Sequence, residues 1–131
     1  MFIEIDLESK DPLYAQLKNQ IVAGIARGDL TPGESLPSVR ALGADLGINL
    51  HTVNKAYRQL EQEGFILIQR QKGVFIHPEG VAPADEEYKN HLKKQLRPLI
   101  ADSVCRSMSE EEFVNLSREL FREFANGEGG E

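Results

Sequence analysis

The chain has 131 residues, an ordinary 40% hydrophobic share, a formal net charge of −6 and one cysteine, Cys105. That length suits one domain or a small domain with an appendage, and no apolar run approaches the roughly 20 residues of a membrane span. A lone cysteine excludes an internal disulfide, and the start of the chain carries acids instead of an apolar signal core, so a reducing cytoplasm is the expected compartment.

Apolar and acidic residues alternate from Ile3 to Leu7, and Phe2 to Leu7 is predicted as a short half-buried strand. Asp11 before Pro12 predicts a helix start, with Asp11 as its N-cap. Leu13, Leu17, Ile21 and Ile25 recur every four residues, so this helix buries one face, and Gly28 closes it. Thr31-Pro32-Gly33-Glu34 reads as a turn, and Pro37 with Ser38 opens the next helix.

The stretch from Leu36 to Tyr57 carries the most information. It reads as two short helices around a tight turn, with Gly43 and Gly47 four positions apart. Leu42, Leu46, Ile48 and Val53 would pack the pair together, leaving His51, Thr52, Asn54, Lys55 and Arg58 outward. In a helix-turn-helix the second helix can lie in the DNA major groove, its N-terminal residues against base edges. Asn49 is placed to cap that helix, which is expected to run to about Glu63 with Val53, Ala56, Tyr57 and Leu60 buried. Gly64 stops it. Two strands, Phe65 to Gln69 and Val74 to His77, then flank Arg70-Gln71-Lys72-Gly73. A helix-turn-helix followed by a basic-tipped hairpin outlines a winged helix. Such a tip would approach phosphates or a minor groove, with Gly73 permitting the turn or a close backbone approach.

Pro78 to Pro83 marks a boundary with two prolines and a glycine. Beyond it the first amphipathic helix carries Tyr88, Leu92, Leu96, Leu99, Ile100 and Val104, and Pro98 should kink or split it. The second opens with a capping box, Ser109-Glu110-Glu111-Glu112, with Met108 and Phe113 placed as a hydrophobic staple. Its stripe is Phe113, Leu116, Leu120, Phe121 and Phe124. About fifty residues make too thin a layer to hide these side chains alone. They must cover the winged domain or a second subunit, and three phenylalanines on one short helix favour a shared interface. The expected seam is Tyr88, Leu92, Leu96, Leu99, Phe113, Leu120, Phe121 and Phe124. Cys105 is read as a small buried or interfacial apolar residue. The expected division is a winged-helix domain, 1–78, a helical dimerisation segment, 79–125, and a disordered tail, 126–131.

The acidic balance is uneven. Residues 1–78 hold 8 Lys/Arg against 9 Asp/Glu, and residues 79–131 hold 7 against 12. Between 49 and 60 there are two bases, Lys55 and Arg58, and no acid, and local potential is what phosphate contact needs. Metal and catalytic chemistry find no support. His51, His77 and His91 fall on different elements without ligand spacing, Glu87 and His91 form a mere pair, and no nucleophile signature or phosphate loop is present. No cofactor, no metal and no enzyme activity is expected.

The chain resembles the GntR family of bacterial transcription regulators, in particular its small YtrA-like branch. The matching residues are Asp11-Pro12-Leu13-Tyr14 with Gln16-Leu17, then Gly28-Asp29-Leu30 with Pro32-Gly33. They continue through Leu36-Pro37-Ser38-Val39-Arg40, Leu46-Gly47-Ile48 and Thr52-Val53 to Ala56-Tyr57, Leu60-Glu61 and Glu63-Gly64. The resemblance covers residues 1–78, and the two-helix remainder looks like a YtrA-type dimerisation segment. It implies an α+β fold, a winged helix-turn-helix of three helices and a β-hairpin wing followed by two C-terminal helices. It also implies a homodimer on double-stranded DNA, usually a repressor at a palindromic operator, with neighbouring transporter genes as targets.

Carried over by position, the implied DNA contacts are Arg40, Leu50, His51, Thr52 and Asn54, with Arg70 to Gly73, including Lys72, at the wing; Asn49, Lys55 and Arg58 complete the expected set from their place on the same helix. The competing reading of Arg40 is a solvated residue or a salt-bridge partner of Asp45, and Lys55 and Arg58 could be an ordinary solvated face. Many members have arginine where this chain has Leu50 and Asn54. Asparagine suits adenine and leucine a thymine methyl, so the expected operator is less guanine-centred. An unidentified small-molecule effector is admitted as a partner, although no polar pocket can be read from the residues. Two other classes stay open: a winged-helix protein dock without DNA binding, and a small-molecule binder with its pocket at the dimer seam.

Overall fold

The computed structural model describes residues 3–127. Helix α1, Leu13–Arg27, buries Leu17, Ile21 and Gly24 and ends at Gly28, whose φ of 86° lets its N–H reach the Ile25 carbonyl. The cap at its other end is Pro12, with no side-chain hydrogen bond, so Asp11 is not the N-cap. The proline sits where the chain turns into the helix, which leaves Asp11 one residue too early. Pro12 instead accepts the Ala15 and Gln16 N–H groups on its carbonyl, and the Asp11 carbonyl accepts from Gln16 Nε2 at 3.0 Å.

No strand forms over residues 3–7, although the alternation is real: Ile3 and Ile5 are half-buried, Glu4 and Asp6 exposed. Glutamine amides of α1 replace a neighbouring strand. Gln16 Oε1 accepts the Asp6 N–H at 2.9 Å and its Nε2 donates to the Asp6 carbonyl at 3.0 Å. Gln20 brackets Glu4 in the same way. The match is geometric: four helical residues rise about 6 Å and two extended residues about 6.6 Å. Phe2 lies outside the described residues.

Helix α2, Val39–Leu46, is capped by Ser38, whose Oγ accepts the Ala41 N–H at 3.0 Å, and closes at Gly47 with φ 68°. Helix α3, Leu50–Gln62, is capped by Asn49, whose Oδ1 accepts the His51 N–H at 2.7 Å. A Cβ on Gly43 would stand 3.1 Å from Leu50 Cδ2 and 3.2 Å from the Ile48 carbonyl oxygen, so glycine lets the two helices close. Val53, Ala56, Tyr57 and Leu60 form the buried side of α3, as their spacing predicts. The Tyr57 hydroxyl donates to the Pro37 carbonyl at 2.8 Å, tying α3 to the loop before α2.

Strand β1, Ser35–Leu36, pairs with β3, Gly73–Ile76, which also pairs with β2, Ile66–Gln69, all antiparallel in the order β1-β3-β2. The two-residue β1 has no sequence signal, because its partners lie far downstream. Reciprocal bonds hold its approach: Gly33 donates to the Ile76 carbonyl at 2.9 Å and Ile76 to the Glu34 carbonyl at 2.8 Å. Leu36, Ile66, Val74 and Ile76 close the core over Leu17, Ile21, Val53 and Tyr57.

Helix α4, Glu86–Cys105, runs through Pro98 without a break, so the proline does not split it. Proline removes one bond to the Lys94 carbonyl, and the exposed helix lets water take that carbonyl. Helix α5, Glu110–Gly127, carries the expected capping box: Ser109 N–H donates to Glu112 Oε1 at 2.8 Å, and Glu112 N–H to Ser109 Oγ at 3.1 Å. Residues 126–127 therefore belong to the helix and not to a tail, and 128–131 lie outside the described residues. Helix α5 lies against α1, whereas α4 buries no residue and, among the described residues, packs extensively on no other element. Among the described residues no helix is long and apolar enough to cross a membrane.

Candidate nucleic-acid interface

Once one side of α3 is committed to the core, the opposite side follows from helical spacing. His51, Lys55 and Arg58 make a single exposed stripe at intervals of four and three residues. Thr52 and Asn54, both half-buried, flank it on opposite sides. Leu50 is 39% exposed, and its Cδ2 leans over Gly43, so this side chain is shared between surface and the packing of α2 on α3. Asn49 is exposed, but its side-chain oxygen is occupied by the cap. Arg40 is exposed on the first turn of α2.

The wing tip is built by backbone that few side chains tolerate. Gln71 has φ 69° and Gly73 φ 124°, and the Lys72 N–H closes the turn on the Gln69 carbonyl at 3.1 Å. A Cβ at Gly73 would meet only ordinary contacts with the Phe75 ring, so it is the dihedral that calls for glycine there. Arg70 and Lys72 are exposed on either side of Gln71.

The bases of this surface are held in no ion pair among the described residues, a condition they share with Lys10, Lys93, Lys94, Arg97, Arg118 and Arg122. Among the described residues the ion pairs are Lys18–Glu63, Arg27–Asp29, Glu86–Lys89 and Asp102–Arg106. Arg40, Lys55, Arg58, Arg70 and Lys72 take part in none of them, and the alternative pairing of Arg40 with Asp45 does not occur. Their charge is available to phosphates.

Two residues outside the sequence-derived set shape this surface. Tyr14, on α1, places its ring under the Lys55 ammonium, 3.9 Å from the centroid. The two residues share a cleft of about 370 Å³ with Pro12, Leu13, His51 and Thr52. Glu61, at the far end of α3, accepts the Ile68 N–H of β2 on Oε2 at 3.0 Å and so fastens the wing to the helix. Tyr14 falls inside the Asp11-to-Leu17 match, yet periodicity gives no sign of a contact so distant in the chain. Glu61→Ala should leave the edge amide of Ile68 without its protein partner and lower stability by about 1 kcal/mol, with Glu61→Gln losing less. Urea unfolding of the three proteins checks this.

The expected seam residues divide. Tyr88, Leu92 and Leu99 on α4, and Leu120 and Phe121 on α5, are exposed, Phe121 by 77%. Leu96, Phe113 and Phe124 are half-buried. Ser117, Leu120, Phe121 and Phe124 line a small groove of about 240 Å³. Cys105 is exposed in the single chain, so of its two readings, buried or interfacial, the buried one does not hold. Among the described residues no three His, Cys, Asp or Glu side chains gather as metal ligands, and His51, His77 and His91 are dispersed.

Comparison with known proteins agrees with this architecture. The profile described as bacterial regulatory proteins, gntR family, matches residues 13–76. The HTH-type transcriptional repressor YtrA of Bacillus subtilis (strain 168) is 33% identical over 125 residues, covering 95% of this chain and 96% of that protein. The crystal structure of a transcriptional antiterminator from Listeria monocytogenes EGD-e superposes with a TM-score of 0.85 at 28% identity, over 92% of this chain and 90% of that one. The AraR DNA-binding domain in complex with operator ORX1 superposes with a TM-score of 0.52 at 26% identity, over 58% and 98%.

Proposed function

The chain belongs to the gntR family of bacterial regulatory proteins, and from that premise we propose that it represses transcription by binding a palindromic operator as a homodimer. The observation that carries this reading is the exposed His51, Lys55 and Arg58 stripe, opposite the buried face of α3 and without carboxylate partners among the described residues. In this reading α3 enters the major groove and residues near its start meet base edges. Asn54 can pair with adenine and Leu50 can touch a thymine methyl, which gives an operator poorer in guanine contacts. Arg40, with Arg70 and Lys72 of the wing, holds the head on the phosphate backbone and carries no sequence information. Residues 1–78 read DNA, and residues 79–125 join two copies.

The homodimer rests on the apolar residues that α4 and α5 leave in water. One head alone grips DNA weakly, and joining two raises affinity through effective concentration. Because α5 lies against α1, a small molecule bound at the seam could move the heads relative to the half-site spacing. The compartment is the cytoplasm, where the operator is.

The test is enrichment from a pool of randomised duplex DNA at two salt concentrations, beside the Arg40→Ala, Thr52→Ala double variant. A palindrome is expected to emerge, weaken with salt, and bind the variant at least about 10-fold less tightly. A pool that stays unenriched, with and without candidate metabolites, would overturn the reading in favour of a protein-docking winged helix.

A further inference from the structure

We propose that Tyr14 is a positioning residue of the DNA interface, its ring holding the Lys55 ammonium in place for a backbone phosphate. The inference rests on the DNA-binding reading and adds to it a residue of α1 that touches no base. Lys55 Nζ stands 3.9 Å from the Tyr14 ring centroid, well inside the roughly 6 Å over which a cation is drawn to the face of an aromatic ring. An unsupported surface lysine loses its rotamer freedom when it settles on a fixed phosphate. Here the ring has already restricted the side chain, and a tetrahedral ammonium resting on one face still directs N–H donors away from it.

The surroundings select an anion. Pro12, Leu13 and Tyr14 form one side of the cleft, and His51, Thr52 and Lys55 the other. No carboxylate lines it, and Lys55 has no ion-pair partner among the described residues. A phosphate oxygen at its mouth would meet the ammonium with the Thr52 hydroxyl and the His51 ring close by. Lys55 also continues the outward stripe from His51, so a head seated on DNA through α3 brings this cleft to the duplex backbone.

The experiment is equilibrium binding of the full chain to the enriched duplex across a salt series, with thermal unfolding of every variant as control. Tyr14→Phe keeps the ring and should bind within about 2-fold of the parent. Tyr14→Leu should weaken binding by about 2- to 5-fold per head. Lys55→Met should weaken it and flatten the slope of log K against log salt by about 0.9 for each phosphate that the protein no longer neutralises. In the Lys55→Met background Tyr14→Leu should have no further effect. Equal losses in both backgrounds would make Tyr14 merely structural, and tighter binding on removing the ring would mean that it masks Lys55. Either result overturns the proposal while leaving the DNA-binding reading intact, whereas a parent protein that binds no duplex removes both. If Tyr14→Leu unfolds, Lys55→Arg and Tyr14→Phe decide: both keep a cation over a ring, and a loss beyond about 2-fold in either overturns the proposal.

Discussion

Leu120→Glu combined with Phe121→Glu is expected to convert the protein to a monomer and to lower operator affinity by about 100- to 10,000-fold. Leu120 and Phe121 are 48% and 77% exposed in the single chain, and neither joins the core of the winged domain. Charge at these positions costs a single chain little. At a seam between two copies, the same carboxylates would be taken out of water without partners. The drop in affinity would come from the absence of a second head, with the first head's own grip on DNA preserved. Sedimentation of the variant and its binding to a half-site and to a full palindrome check both parts. A variant that still sediments as a dimer, or binds the palindrome like the parent, would place the seam elsewhere.

Tyr57 should show the largest single-residue effect on folding. It is fully buried, it belongs to α3, and its hydroxyl reaches the Pro37 carbonyl ahead of α2. Tyr57→Ala empties a ring-sized space where the two helices meet, with an expected cost of about 3–5 kcal/mol. Tyr57→Phe keeps the ring and removes one hydrogen bond, for about 1 kcal/mol. Urea unfolding separates the two, and near-equal losses would contradict the packing role. Burial also pushes the phenol ionisation well above its ordinary value of 10.0. The unfolded chain therefore gives up this proton first, so the contribution of Tyr57 to stability is full below about pH 10 and declines as pH rises beyond it. Tyr57→Phe should lose that part of the alkaline decline.

The sequence made periodic elements legible and contacts between distant residues illegible. Helical spacing identified the buried side of α3 in full, since Val53, Ala56, Tyr57 and Leu60 obey one period and pack against one core. Local capping chemistry was equally readable at Ser38, Asn49 and Ser109. The Asp11 cap failed locally, because Pro12 takes that position, and other readings failed where a partner lay elsewhere in the chain. The alternation at Ile3 to Asp6 correctly marked which side faces inward, but no composition rule predicts that Gln16 and Gln20 would satisfy its backbone. Strand β1 is two residues long and exists only because β3 returns beside it. Pro98 carries a local rule that a helix with no buried residue can tolerate. For the interface, the outward residues of α3 follow from spacing, but the neighbours of Lys55 and Ile68 do not.

The position of α5 gives the two halves of the molecule a physical connection. It lies along α1, and α1 packs on α3. The helix that carries the exposed phenylalanine is therefore separated from the helix offered to DNA by a single layer. In the proposed dimer, the angle at which two α5 helices meet sets the separation of the two α3 helices, and through it the half-site spacing of the operator.

The mass of the complex formed with the enriched duplex, measured by native mass spectrometry or sedimentation, tests the central claim most directly. The account predicts two chains on one palindromic duplex, with a half-site duplex bound far more weakly. One chain per duplex at full affinity would contradict it.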